Sequence, residues 1–169
     1  MLDQAHPNAF AEVVSLEALA QLQQLADIGQ AEIFHDVLHH GRANMKAAVA
    51  TRIAPRIADF LSTEQAGARN ALEYAIRIIE EAGGAEHRQH AKDQLEASLR
   101  DESLSAGFAL SLLATIDAQA GCRQLLLKTE ELRNAESRQD AIDVFASVFG
   151  DRPFGRVPDL FVQSFQAMI

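Results

Sequence analysis

The sequence has one cysteine, no tryptophan, one tyrosine and four prolines in 169 residues, and each shortage excludes something. A lone Cys122 forms no intramolecular disulfide, and its neighbours Gly121 and Arg123 make no metal or redox motif, which fits a reducing compartment. Positive charge is scarce: 15 Lys and Arg against 24 Asp and Glu give a net charge of -9. The chain therefore lacks the basic footprint that phosphate backbones require, and nucleic-acid binding is disfavoured. No run of eighteen apolar residues occurs, and the start MLDQAHPNAF has no basic segment feeding an apolar one. Neither a membrane span nor a signal peptide is expected.

What is abundant points one way. Thirty alanines, nineteen leucines, thirteen glutamates and thirteen glutamines outweigh eight valines and four threonines, a composition of helix formers. An all-α fold of eight or nine helices without a sheet follows, as one domain over residues 1–169 whose natural sub-bundles are 1–61 and 62–169. Phe10, Val13, Leu16, Leu19, Leu22 and Leu25 suggest one helical stripe ending near Gly29. Ile33, Phe34, Val37 and Leu38 belong to a shorter helix stopped by Gly41, and the next runs from Arg42 to Leu61 with a kink or break at Pro55. Ser62 with Gln65 opens the helix of Leu72, Ile76 and Ile79, which Gly83-Gly84 ends. A polar helix covers His87 to Arg100. The uncharged run Ser103 to Ile116 predicts the most central helix, with Leu110, Leu113 and Ile116 deeply buried and Gly107 permitting close helix approach. Further helices are expected over Arg123 to Arg133, after the Ser137/Asp140 capping box, and over Val157 to Met168 beyond the turn Gly150-Asp151-Arg152-Pro153.

Two constellations carry chemistry. Glu32, His35 and His39 share a helical face, and Glu32-x-x-His35 has the spacing of di-iron bundles. Such bundles need the motif twice, whereas the other candidate stretch, Glu86 to His90, has Gln89 where the second histidine belongs. No tightly bound metal or cofactor is expected, and a metal-dependent enzyme built on these three residues ranks last among the readings. Hydrolase, nucleotide and dinucleotide motifs are missing as well, so the sequence reads as non-enzymatic. The second constellation is Arg42, Lys46, Arg52 and Arg56, four cations without an acid between Arg42 and Ala58, on a chain otherwise at -13. Arg52 and Arg56 at i,i+4 suggest a face that docks an acidic protein partner; pairing with acids of neighbouring helices is the alternative.

The stretch LEASLRDESLSAGFALSLLATI, Leu95 to Ile116, resembles the end of a helical domain in type III secretion gatekeepers, the YopN/HrpJ-like regulators. The Ala106-Gly107 pair matches the family, while Ala109 stands where the family has Asn. Phe149-Gly150-Asp151-Arg152-Pro153-Phe154 before the amphipathic Val157 to Met168 resembles the family's aromatic-Gly step and Arg-Phe pair, with Pro153 inserted, and Ser137-Arg138 replaces an aromatic-Arg pair. The resemblance spans about residues 72–169. It implies an X-bundle-like fold and a non-enzymatic regulator that orders export through contacts with secretion-apparatus proteins or a chaperone. It also implies a bacterial protein, in the cytoplasm, at the export apparatus or secreted. A HEAT-like helical-repeat scaffold is the competing reading, on the pattern DAIDVFASVFGD then RVPDLF; the pattern does not recur upstream.

Overall fold

The computed structural model describes residues 6–28, 32–60, 66–100 and 106–133. Among them the chain is all-helical, with no strand. Seven α-helices follow in order: α1 Pro7–Ile28, α2 Glu32–His40, α3 Ala43–Ile53, α4 Ala66–Ala82, α5 Ala85–Arg100, α6 Ala106–Ile116 and α7 Ala118–Arg133, with a 3-10 helix, Ala54–Phe60, between α3 and α4. The Ser62/Gln65 and Ser137/Asp140 capping boxes, the Gly150–Pro153 turn and the Val157–Met168 segment lie outside the described residues.

The chain divides into two compact units, Met1–Gln94 and Leu95–Ile169. The division falls within α5 and not near residue 61, because α4 packs on α1, α2, α3 and the 3-10 segment and so belongs with them. In the first unit α4 is the hub: Ala71, Leu72, Ala75, Ile76, Ile78 and Ile79 are all buried, a stripe wide enough to meet several partners. Each fully buried isoleucine or leucine contributes about 1.5–3 kcal/mol relative to exposure. The Ser103 to Ile116 run, expected to hold the most central helix, belongs to the second unit, where Leu110 and Leu113 are fully buried.

α1 starts with Pro7 at its first position, where the missing N–H costs nothing. The face it buries is Ala11, Ser15 and Ala18, while Val13 and Leu16 are exposed at 61% and 49%. The apolar row Phe10, Val13, Leu16, Leu19, Leu22 and Leu25, expected to form one stripe, steps by three residues throughout. At 3.6 residues per turn such a row winds around the helix and cannot stay on one face. The small residues that do face inward let α1 lie against α3, its main neighbour. Asn44 fixes the start of α1 by donating to the Pro7 carbonyl at 3.1 Å.

α3 ends where Pro55 follows. Proline has no N–H to continue the ladder, and the chain tightens into the 3-10 helix from Ala54. Its buried residues Ala54, Ile57 and Phe60 step by three, which in a three-residue turn places them in one line. Gln94 of α5 braces this segment: its Oε1 accepts from the Ala58 N–H and its Nε2 donates to the Ala54 carbonyl at 3.4 Å. α4 stops at Gly83, whose N–H donates to the Ile79 carbonyl at 2.8 Å.

In the second unit α6 and α7 form a hairpin joined by Asp117 alone. Leu110, Leu112 and Leu113 are buried to 1% exposure or less. Ile116 is only half-buried, because it is the last residue of α6, where the hairpin turns. α7 begins five residues before the expected Arg123. Asp117 Oδ1 caps it by accepting from the Ala120 N–H at 2.9 Å, and Gly121 lies inside the helix, not ahead of it. A Cβ on Gly121 would sit 2.7 Å from both Cα and Cβ of Ala114. The close helix approach is therefore made here. Ser111 and Thr115 bond back to the Phe108 and Ser111 carbonyls at 2.8 and 3.0 Å, which satisfies their hydroxyls within α6.

Candidate functional site: a histidine and basic surface on the first unit

The four cations of the basic stretch have separate environments. Lys46 on α3 pairs with Glu81 of α4 at 2.6 Å. Arg52, near the end of α3, turns towards α1: its Nε donates to Ser15 Oγ at 2.9 Å and its Nη2 to Glu12 Oε1. Ser15 is fully buried and its own hydroxyl donates to the Glu12 carbonyl at 2.7 Å. Arg52, Ser15 and Glu12 thus form a polar clamp between α1 and α3, with the Arg52 side chain 28% exposed. Arg56 lies beyond the change to 3-10 geometry, exposed, and pairs with Asp59, three residues on, at 3.1 Å. The i,i+4 relation puts two side chains on one face only while the helix remains α; with the turn tightened between them, Arg52 and Arg56 part. Arg42 precedes α3 as its N-cap, held by backbone geometry and exposed.

Glu32, His35 and His39 are exposed on α2. The His35 and His39 rings stand 4.5 Å apart, and His40 lies 6.4 Å from each. No group of three or more His, Cys, Asp or Glu side chains that could hold a metal occurs among the described residues. What the histidines meet instead is Tyr74 of α4. Its ring makes edge contacts with His35 at 5.7 Å and His39 at 6.4 Å. Asp36 Oδ1 stands 3.5 Å from His35 Nδ1. One turn beyond Tyr74 on α4, half-buried Arg77 acts on His39.

His39 titrates below the ordinary histidine value. Desolvation is the largest cause, followed by the positive charges of His35, Arg77, His40 and Lys46. Among the described residues, the charges that act on His39 are cationic and come from α2, α3 and α4. No family model, no curated protein and no solved structure matches the chain. The chemistry of this surface therefore rests on its own geometry.

Three imidazoles and the Tyr74 ring thus gather on one side of the first unit, with Arg77 and the Glu81-paired Lys46 acting on His39 from the neighbouring helices. The sequence showed the histidines and Lys46 but not Tyr74 or Arg77. The signal for those two was present: the chain's single tyrosine and an arginine three residues later stand together on the polar side of an amphipathic helix. Cys122 belongs to the second unit. It is fully buried on α7, and burial pushes its thiol above the ordinary range, which opposes nucleophilic use. No helix among the described residues is long and apolar enough to cross a membrane.

Proposed function

We propose that the chain is a non-enzymatic docking protein, similar in role to the type III secretion gatekeepers, that orders protein export by binding secretion-apparatus proteins or a chaperone in the bacterial cytoplasm. The observation that carries this reading is the surface of the first unit. It carries the His35, His39, His40, Tyr74 and Arg77 cluster, and the same unit separately exposes aliphatic Val13 and Leu16 on α1. Aromatic and arginine side chains are the groups enriched where protein partners bind, and exposed aliphatic side chains supply apolar area there. The sequence resemblance adds the role, through Leu95 to Ile116, where the matching Ala106-Gly107 pair opens α6. An X-bundle of eight or nine helices, with the last ones after Arg133, completes the proposal.

The test is genetic and biochemical. In a host with a type III system, deletion of the coding sequence is expected to release late substrates early, and the intact gene to restore their order. An export profile unchanged by deletion, together with no secretion protein copurifying with the chain, overturns the reading.

A further inference from the structure

We propose that the side of the first unit formed by His35, His39 and His40 of α2, Tyr74 and Arg77 of α4 and Lys46 of α3 binds a carboxylate-rich peptide segment of a protein partner, and does so more tightly in acid. This deepens the docking reading above and rests on it. The placement carries the argument: the three imidazoles lie within 6.4 Å of one another, and Tyr74 packs its ring edge against two of them. Arg77 and Lys46 bring fixed positive charge to His39 from two other helices.

The charges around the cluster decide the partner. On α2 the groups are Glu32, Asp36, His35, His39 and His40; on α4 they are Glu73, Arg77, Glu80 and Glu81; on α3 the group is Lys46, with Arg42 before it. Near neutral pH, with uncharged imidazoles, the three cations Arg42, Lys46 and Arg77 against the five carboxylates give -2, so the surface repels an acidic peptide until the histidines take up protons and bring it to +1. Protonation of three histidines adds three positive charges and makes the surface cationic. α1 also touches α2, but its Glu12 is engaged by Arg52, and no α1 charge acts on His39 among the described residues.

Desolvation and the positive neighbours His35, Arg77, His40 and Lys46 oppose the protonation of His39 in the free protein. A bound carboxylate removes that opposition, so binding and proton uptake reinforce one another. A divalent metal suits the surface less well, since the same cations that oppose the proton oppose a metal ion. An acidic peptide is the occupant whose charge matches.

The test is fluorescence anisotropy of the full chain with a labelled hexaglutamate peptide at pH 7.5 and 5.5, with hexaglutamine as control. Glutamate remains mostly ionised at both values. Binding is expected to tighten at least tenfold at pH 5.5 and to be undetectable for hexaglutamine. R77Q should weaken it at both pH values, the combined H35Q, H39Q and H40Q variant should remove the pH dependence, and R56Q should change nothing. Circular dichroism verifies that each variant is folded. Equal hexaglutamate affinity at both pH values, or equal loss in R56Q and R77Q, overturns the proposal. If the peptide fails to bind while export order still depends on the chain, this inference falls and the docking reading stands; peptide binding with unchanged export gives the reverse.

Discussion

Replacing Arg52 by Met should destabilise the protein where the same change at Arg56 does not. The guanidinium of Arg52 makes a charge-assisted bond to Ser15 Oγ at 2.9 Å and an ion pair with Glu12 across the α1–α3 contact. A hydrogen bond to a charged group contributes about 1.5–3 kcal/mol. The Glu12 side chain is 58% exposed, so solvent screening limits the ion pair to about 0.2–1 kcal/mol. Methionine keeps most of the packing of the arginine stem, and Ser15 keeps its bond to the Glu12 carbonyl. The expected loss for R52M is therefore about 2–3 kcal/mol, which at this chain length lowers the thermal midpoint by roughly 4–10 °C. R56M removes only an exposed i,i+3 pair and should stay within about 0.5 kcal/mol of the parent. Urea and thermal unfolding followed by circular dichroism read both. Indistinguishable stabilities for R52M and R56M would refute the clamp and return Arg52 to the docking surface with Arg56.

Three further outcomes follow from the packing and the charges. Gly121→Ala forces a Cβ to within 2.7 Å of Ala114 backbone and side chain, so the α6–α7 hairpin must open; a loss of about 1–3 kcal/mol in urea unfolding is expected, and a neutral result would show that the helices are not in close contact there. Leu113→Ala, at a fully buried position, should cost about 2–5 kcal/mol, against under about 1 kcal/mol if α6 were superficial. For pH, His39 is depressed from 6.5 in the folded protein, so the unfolded chain binds more protons as pH falls. Stability should therefore decline as pH drops through about 6.5 and level off below the folded-state value. His39→Gln should flatten that decline; an unchanged slope between pH 7 and 5 would remove His39 as its source.

Local rules made much of the fold legible. Gly41 and Gly83 stop their helices, Pro55 ends α3, and Leu110 and Leu113 are core. The misses have physical causes. On α1 the small residues Ala11, Ser15 and Ala18 are buried while Val13 and Leu16 are exposed, so apolarity alone does not reveal which face turns inward. Gly121 looks like a breaker in sequence, yet inside α7 it makes the close approach to Ala114, with Asp117 as the unnoticed cap. The site was half legible: α2 periodicity gathers His35 and His39, but Tyr74 and Arg77 reach them through tertiary packing of α4 on α2, which no spacing rule encodes. The separation of Arg52 from Arg56 was hidden in the same way by the change of helix type at Ala54.

The most direct test of docking on this surface is site-specific photo-crosslinking in a host with a type III system. The photoreactive residue p-benzoylphenylalanine replaces either Glu73, exposed on α4 beside Tyr74, or Leu127, exposed at 55% on α7 in the second unit. Adducts are identified by mass spectrometry. The account predicts an adduct with a secretion-apparatus protein, chaperone or exported substrate from position 73, weakened by R77Q, and little from position 127. An adduct from position 127 alone, or one from position 73 indifferent to R77Q, contradicts it.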